Sequence, residues 1–233
     1  MKILQTAKQF IYYDPKLLTE PPEFCFSVSF WQKQRAIIGS AQGRGTTWFV
    51  QTKVIEAALR HYRRGGLLGK IIKDGYLFFS WEKTRSLQEF KLLEELIRDG
   101  VHVPRPIAAR AIKKGFYYQA DLLSEKIPDA EDLVSILQSQ SLSCSLYSDI
   151  GHEIRKMHNA QVDHTDLNIH NILIDKSNKV WIIDFDKCTK REGSSWKKDN
   201  LRRLKRSFIK EVKKRNIHWS ESDWQVLIQS YHA

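Results

Sequence analysis

The chain has little sulfur, no long apolar run and a shortage of acidic charge, and each lack narrows what it does. Its three cysteines, Cys25, Cys144 and Cys188, lie far apart with no C-x-x-C pair, which excludes a zinc ribbon and a disulfide framework and predicts a reducing cytosol. No apolar stretch is long enough to span a bilayer. The first 22 residues carry Asp14 and Glu20 and lack the apolar core of a secretory signal, so any membrane contact is expected to be peripheral. Internal repeats and low-complexity segments are also absent. Acidic residues number 27 against 38 Lys and Arg, and the resulting charge of +11 predicts attraction to polyanions such as nucleic acid, anionic lipid or phosphorylated glycan. What remains is ordinary globular material: 233 residues, 42% hydrophobic, suffice for one large domain or two lobes.

Short β-branched, aromatic or alternating runs at 35–38, 48–51 and 55–62, broken by the glycine-rich GSAQGRG, predict a small antiparallel sheet. From Trp81 the period changes. Leu87, Phe90, Leu93, Leu96 and Ile97 recur at helical spacing, and the run ends at Asp99-Gly100 and VPRP. A strand over 116–123 follows, and the link near 121–128 leads to a mainly helical half. The expected division is an N-terminal lobe over 1–120 and a C-terminal lobe over 121–233. In the second half Leu146, Ile150, Ile154 and Met157 mark a helix face, and apolar runs at 172–174 and 180–183 around DKSNK predict a hairpin. Two helices close the chain, one over 196–215 and one after Ser220, where Ser220-x-x-Asp223 is an N-terminal capping signal.

The hairpin brings chemistry together. Asn171 and Asp184 flank its strands at nearly equal distances from a turn centred near Ser177-Asn178, so antiparallel pairing sets two oxygen donors side by side. Magnesium is commonly held by one or two protein carboxylates together with substrate phosphates, which this pair suits. Asp166, on the loop entering the hairpin, faces the same space as a candidate base for an attacking hydroxyl.

HTDLNIHN (164–171) resembles the protein-kinase catalytic loop H-R-D-L-x-x-x-N, and IIDFD from Ile182 resembles the D-F-G segment. The resemblance implies that Asp166 is the catalytic base, that Asn171 and Asp184 are magnesium ligands, and that His164 braces the loop, a role a buried structural histidine would share. It implies an ATP site in the first half. There Gly39, Gly43 and Gly45 stand where a phosphate-covering loop belongs, although GSAQGRG departs from G-x-G-x-x-G and also reads as a plain hairpin turn. AALR stands in place of V-A-I-K, so Arg60 takes the position of the phosphate-clamping lysine, with Arg63, Arg64 and Lys70 as alternatives and Glu89 as its expected partner. Ser86-x-x-Glu89 also reads as a capping box.

D-F-D in place of D-F-G, the absence of A-P-E and the brevity of the segment after the hairpin argue against a peptide substrate and for a small-molecule or glycolipid kinase. LRHYRRGG from Leu59, RSLQEFKLLEEL from Arg85, VPRPIAA from Val103, DLLSEKIPDA from Asp121 and the stretch from Met157 to Cys188 resemble the bacterial 3-deoxy-D-manno-octulosonic acid (Kdo) kinases of the lipopolysaccharide kinase family. That resemblance implies an α+β, reduced protein-kinase-like bilobal fold. It also implies ATP with magnesium, the 4-hydroxyl of Kdo on a lipid A precursor as acceptor, and peripheral work at the cytoplasmic face of the bacterial inner membrane. A heptose or aminoglycoside kinase is the alternative. Between Lys187 and Arg215 lie 13 basic residues against three acidic ones, nearly the whole chain's excess. On a helix, Leu201, Leu204, Phe208 and Val212 form an apolar stripe with Arg202, Arg203, Lys205 and Arg206 around it, a pattern that fits core packing and also an anionic membrane surface. No nucleic-acid motif accompanies the charge, so no nucleic-acid partner is expected.

Overall fold

The computed structural model describes residues 1–43, 45–64 and 74–233 and divides into two compact units, one of residues 1–94 and 105–126, the other of residues 95–104 and 127–233. The fold is α+β. In the first unit an eight-stranded antiparallel sheet runs in the order β1 (Lys2–Gln5), β2 (Gln9–Tyr13), β7 (Pro106–Lys114), β8 (Tyr117–Glu125), β5 (Glu56–His61), β4 (Thr46–Gln51) and β3 (Ile37–Gln42), with β6 (Tyr76–Leu77) pairing β8. Strand β8, across which the sequence reading drew its lobe boundary, lies wholly in this unit.

Alternation along β5 decides what each face does. Ala57 and Leu59 point into a core shared with Ile11, Leu18, Cys25, Phe26, Trp31, Val50, Ile107, Ala108 and Leu123, which the short helix α1 (Val28–Lys33) helps to cover. Trp31 is fully buried and its indole N–H donates to the Cys25 carbonyl at 2.8 Å, so its burial leaves no polar atom unpaired. Arg60 therefore lies on the opposite face. There it meets helix α2 (Arg85–Arg98), whose residues Leu87, Phe90, Leu93 and Leu96 are buried at helical spacing.

The second unit is mainly helical. It holds β9 (Glu131–Asp132), α3 (Leu133–Ser139), α4 (Cys144–Asn159), β10 (Val162–Asp163), a 3₁₀ turn (Ile169–Asn171), β11 (Ile172–Ile174), β12 (Val180–Ile182), β13 (Thr189–Lys190), α5 (Ser195–Arg215) and α6 (Glu221–His232). Asp132 caps α3 by accepting from the amides of Val134 and Ser135, and Ser220 with Asp223 forms a reciprocal capping box on α6. Helices α4 and α6 cross so closely at Gly151 that a Cβ there would meet the Leu227 carbonyl oxygen at 2.3 Å, so glycine at this site is a packing requirement. On α5, Leu204 and Phe208 are fully buried and Phe208 stacks on Trp219. That stripe is core. Arg202, Arg203, Arg206, Lys210, Lys213 and Lys214 remain exposed, away from that stripe.

Candidate active site

In the second unit the site is built on a loop between β10 and β11. Leu167 and Ile169 are fully buried, so the residues between and before them, Asn168 and Asp166, are turned outward; each anchored side chain contributes about 2 kcal/mol of burial free energy. Asn168 then folds the chain into the 3₁₀ turn, its side chain accepting from the His170 amide at 2.9 Å and donating to the Asp166 carbonyl at 2.7 Å. That same carbonyl accepts from the Asn171 side-chain amide at 3.0 Å. The donor end of Asn171 is thereby used in holding the loop, which leaves its carbonyl oxygen as the end suited to a cation.

The hairpin register pairs Ile172 with Ile182 and Ile174 with Val180, which centres the turn on Ser177. Asp175 sets it by accepting from the amides of Ser177 and Lys179 at 2.8 and 3.1 Å. Asn171 thus stands opposite Ile183, whose amide donates to the Asn171 main-chain carbonyl at 3.0 Å, and Asp184 is the next residue. The sequence spacing sets Asn171 and Asp184 side by side about a centre near Ser177-Asn178; with the turn centred on Ser177, the direct partner of Asn171 is Ile183 and Asp184 follows it. Asp184 has φ 64°, a left-handed conformation that few residues other than glycine adopt, and Asp is among the tolerant ones.

His164 joins the two halves of the site. It is fully buried, its Nε2 lies 3.0 Å from the Ile183 carbonyl, and its Nδ1 accepts the Asp166 amide at 3.3 Å. A neutral ring with the proton on Nε2 satisfies both contacts, linking the loop at Asp166 to the strand end before Asp184. Burial pushes the imidazole below the usual histidine range, while the Ile183 hydrogen bond and the nearby carboxylates of Asp184 and Asp166 pull the other way. Phe185 packs on the same ring with centroids 4.8 Å apart. So enclosed, His164 contacts both the loop and the strand end with no exposed surface of its own.

Behind the loop lies a polar chain that the sequence did not disclose. Asn200 of α5 accepts the His164 amide at 3.0 Å and donates to Asp163 at 2.8 Å, and Arg191 holds the other oxygen of Asp163 at 3.0 Å. His158 of α4 contacts Asn200 and the Tyr231 hydroxyl. Burial depresses His158 from 6.5 to about 4. The unfolded chain therefore takes up a proton below pH 6.5 that the folded chain refuses until about pH 4, and stability present above pH 6.5 is lost as pH falls across that window. A loss of about 3 kcal/mol is expected for this residue. Melting temperatures taken between pH 7 and 4 should fall less steeply for His158→Gln than for the wild type, and parallel slopes would exclude His158 as the cause.

In the first unit Arg60 of β5 and Glu89 of α2 are brought together, Arg60 Nη2 lying 2.5 Å from Glu89 Oε1. The Tyr62 hydroxyl donates to the other carboxylate oxygen at 2.5 Å, and the Arg60 guanidinium lies 4.9 Å from the Tyr62 ring centre. Glu89 is thus spent on Arg60 and Tyr62, and Ser86 donates to the Arg110 carbonyl at 2.9 Å, so the capping-box reading of Ser86 and Glu89 does not hold. Gly43 and Gly45 form the turn of the β3–β4 hairpin, the Gly43 amide bonded to the Gly45 carbonyl at 2.9 Å. A Cβ on Gly45 would lie 2.9 Å from the Arg63 side chain, so this glycine makes room for Arg63. Arg64 sits over the Tyr76 ring, and Lys70, the remaining alternative clamp, lies outside the described residues.

No group of three or more His, Cys, Asp and Glu side chains able to hold a metal ion occurs among the described residues. Asn171 and Asp184 still fit magnesium, which needs few protein oxygens when phosphates complete its shell.

The profile of the lipopolysaccharide kinase (Kdo/WaaP) family matches residues 28–231. The chain is 62% identical to the 3-deoxy-D-manno-octulosonic acid kinase of Vibrio parahaemolyticus, an alignment covering 96% of this chain and 94% of that protein. It is 50% identical to the kinase of the same name from Haemophilus influenzae, over 98% of each chain. Among solved structures it is similar to WaaP in complex with acyl carrier protein, with a TM-score of 0.63 at 14% identity, covering 95% of this chain and 88% of the other. The last likeness establishes the fold.

Proposed function

The chain belongs to the lipopolysaccharide kinase (Kdo/WaaP) family and is a kinase, and on that premise we propose that it phosphorylates the 4-hydroxyl of Kdo on a lipid A precursor with ATP as donor, in assembly of the lipopolysaccharide inner core. The observation that most supports this reading is the bracing of the loop at Asp166 and the strand end at Ile183, just before Asp184, by one buried histidine, with the Asn171 side-chain amide tied to the same loop. Asp166 accepts the proton of the acceptor hydroxyl as the phosphoryl group arrives. Asn171 and Asp184 would hold magnesium, whose charge would offset that of the phosphate oxygens. In the first unit Arg60, oriented by Glu89 and Tyr62, supplies a cation for phosphate, and the turn at Gly43 and Gly45 is a candidate cover.

Removal of the Arg60 charge tests the clamp. Arg60→Ala should raise the KM for ATP by on the order of tenfold, the loss expected for one charge-assisted contact, and Arg60→Lys should recover part of it. An unchanged KM in Arg60→Ala, with the defect appearing in Arg63→Ala, would move the role to Arg63.

Among the described residues no helix is long and apolar enough to cross a membrane. The exposed stripe of Arg202, Arg206, Lys210, Lys213 and Lys214 on α5 supports peripheral attachment to an anionic membrane surface, at the cytoplasmic face of the inner membrane where such acceptors are made. The acceptor assignment is tested by offering labelled ATP and magnesium with three acceptors in parallel: Kdo-bearing lipid A precursor, a heptose-bearing core fragment and an aminoglycoside. Label should enter the first alone. Transfer to either of the others in its place would replace the acceptor named here.

A further inference from the structure

Three residues of α5 reach the catalytic loop from one face of the helix, and they do not all do the same thing. Asn200 and Ser207 accept backbone amides, those of His164 at 3.0 Å and Ile169 at 3.1 Å, and so hold the loop's shape. Arg203, between them at spacings of three and four, instead sets its guanidinium Nη1 3.6 Å from Asp166 Oδ1, with both side chains 47% exposed. An ion pair that long and that open to water contributes little to stability, so the loop does not depend on it. It does, however, set a cation against the carboxylate that an acceptor hydroxyl must reach.

The chemistry of the proposed acceptor resolves the conflict. Kdo is an ulosonic acid, with a carboxylate at C1 and the reacting hydroxyl at C4 of the same sugar, separated only by C2 and C3. A hydroxyl that hydrogen-bonds Asp166 lies about 2.7 Å from its carboxylate, which brings the sugar's own carboxylate within a side chain's swing of Arg203. A planar guanidinium binds a carboxylate through two parallel hydrogen bonds, a better contact than the single long one it makes to Asp166. We propose that Arg203 is the specificity-determining residue for the acceptor, binding the C1 carboxylate of Kdo and leaving Asp166 free for the 4-hydroxyl. Acceptor binding then unmasks the base, and a neutral sugar or water does not.

This inference rests on the acceptor named above, and the two are separated by comparing Kdo-bearing lipid A precursor with its C1 methyl ester, which keeps the 4-hydroxyl and loses the charge. The wild type should lose on the order of 10- to 100-fold in kcat/KM on esterification, the loss expected for one charge-assisted pair. Arg203→Ala and Arg203→Gln should lose as much with the free acid, show no further loss with the ester, and keep the wild-type KM for ATP. If both variants discriminate acid from ester as the wild type does, or lose activity equally on the two acceptors beyond the wild-type ratio, Arg203 serves the phosphoryl group or the base and the inference fails. Wild-type activity that is undiminished by esterification would remove the inference alone. Wild-type silence on the free acid would remove the acceptor assignment and the inference together.

Discussion

Replacing Asp166 by Asn should lower kcat by about a thousandfold, within the range of 10² to 10⁴ that a positioned general base contributes, while the KM for ATP changes little. The structure makes this a clean substitution. The two hydrogen bonds that shape the loop, from Asn168 and Asn171, go to the Asp166 main-chain carbonyl and not to its carboxylate, and Leu167 anchors the loop independently. The variant should therefore fold and melt as the wild type does. Its loss is confined to proton removal in the transition state, and a steady-state assay of phosphate transfer at saturating ATP reads it directly. Turnover near the wild-type level in a folded Asp166→Asn protein would remove Asp166 as the base.

Asp184→Asn should come next in severity. It is expected to cost on the order of a hundredfold in kcat at ordinary magnesium, with partial recovery as magnesium is raised, because the change removes the one formal negative charge of the pair that would hold the ion. Asn is the right probe, since it tolerates the left-handed backbone at φ 64° where Ala would add strain. Asn171→Ala should shift the magnesium requirement in the same direction by less, since its oxygen is neutral; it also removes a hydrogen bond to the Asp166 carbonyl. Magnesium titrations of both variants that overlay the wild type would contradict the assignment.

The hairpin and the residues around it were legible because their signal is local: two short apolar strands, a turn-rich segment and polar residues at fixed offsets. The exact centre of the turn, Ser177, comes from Asp175, which pins it through its side chain, a detail that strand spacing does not carry. In the first unit the hairpin of β1 and β2 went unread, as did β7. Strand β7 opens on Pro106 and is rich in alanine, a composition with little strand propensity of its own, and it forms because β2 and β8 pair with it on either side.

The roles of α5 were less legible still. Its apolar stripe could be read, but Asn200, Arg203 and Ser207 look like any polar helix residues, and Arg203 was grouped with the outward-facing cations. Only the packing of α5 along the catalytic loop separates Arg203, whose guanidinium lies 3.6 Å from the Asp166 carboxylate, from the likewise exposed Arg202 and Arg206. The Arg60 and Glu89 pairing, by contrast, was implied by the resemblance of AALR to the kinase V-A-I-K strand, and the two side chains meet at 2.5 Å.

The most direct test of the account is to locate the phosphate. Wild-type protein is incubated with ATP, magnesium and Kdo-bearing lipid A precursor, and the product is examined by mass spectrometry and phosphorus NMR beside a parallel reaction with Asp166→Asn. The account predicts one added phosphate on the Kdo 4-hydroxyl, one ADP released for each, and almost none of either with the variant. A phosphate on lipid A itself or on another Kdo hydroxyl, or equal product from both proteins, would contradict it.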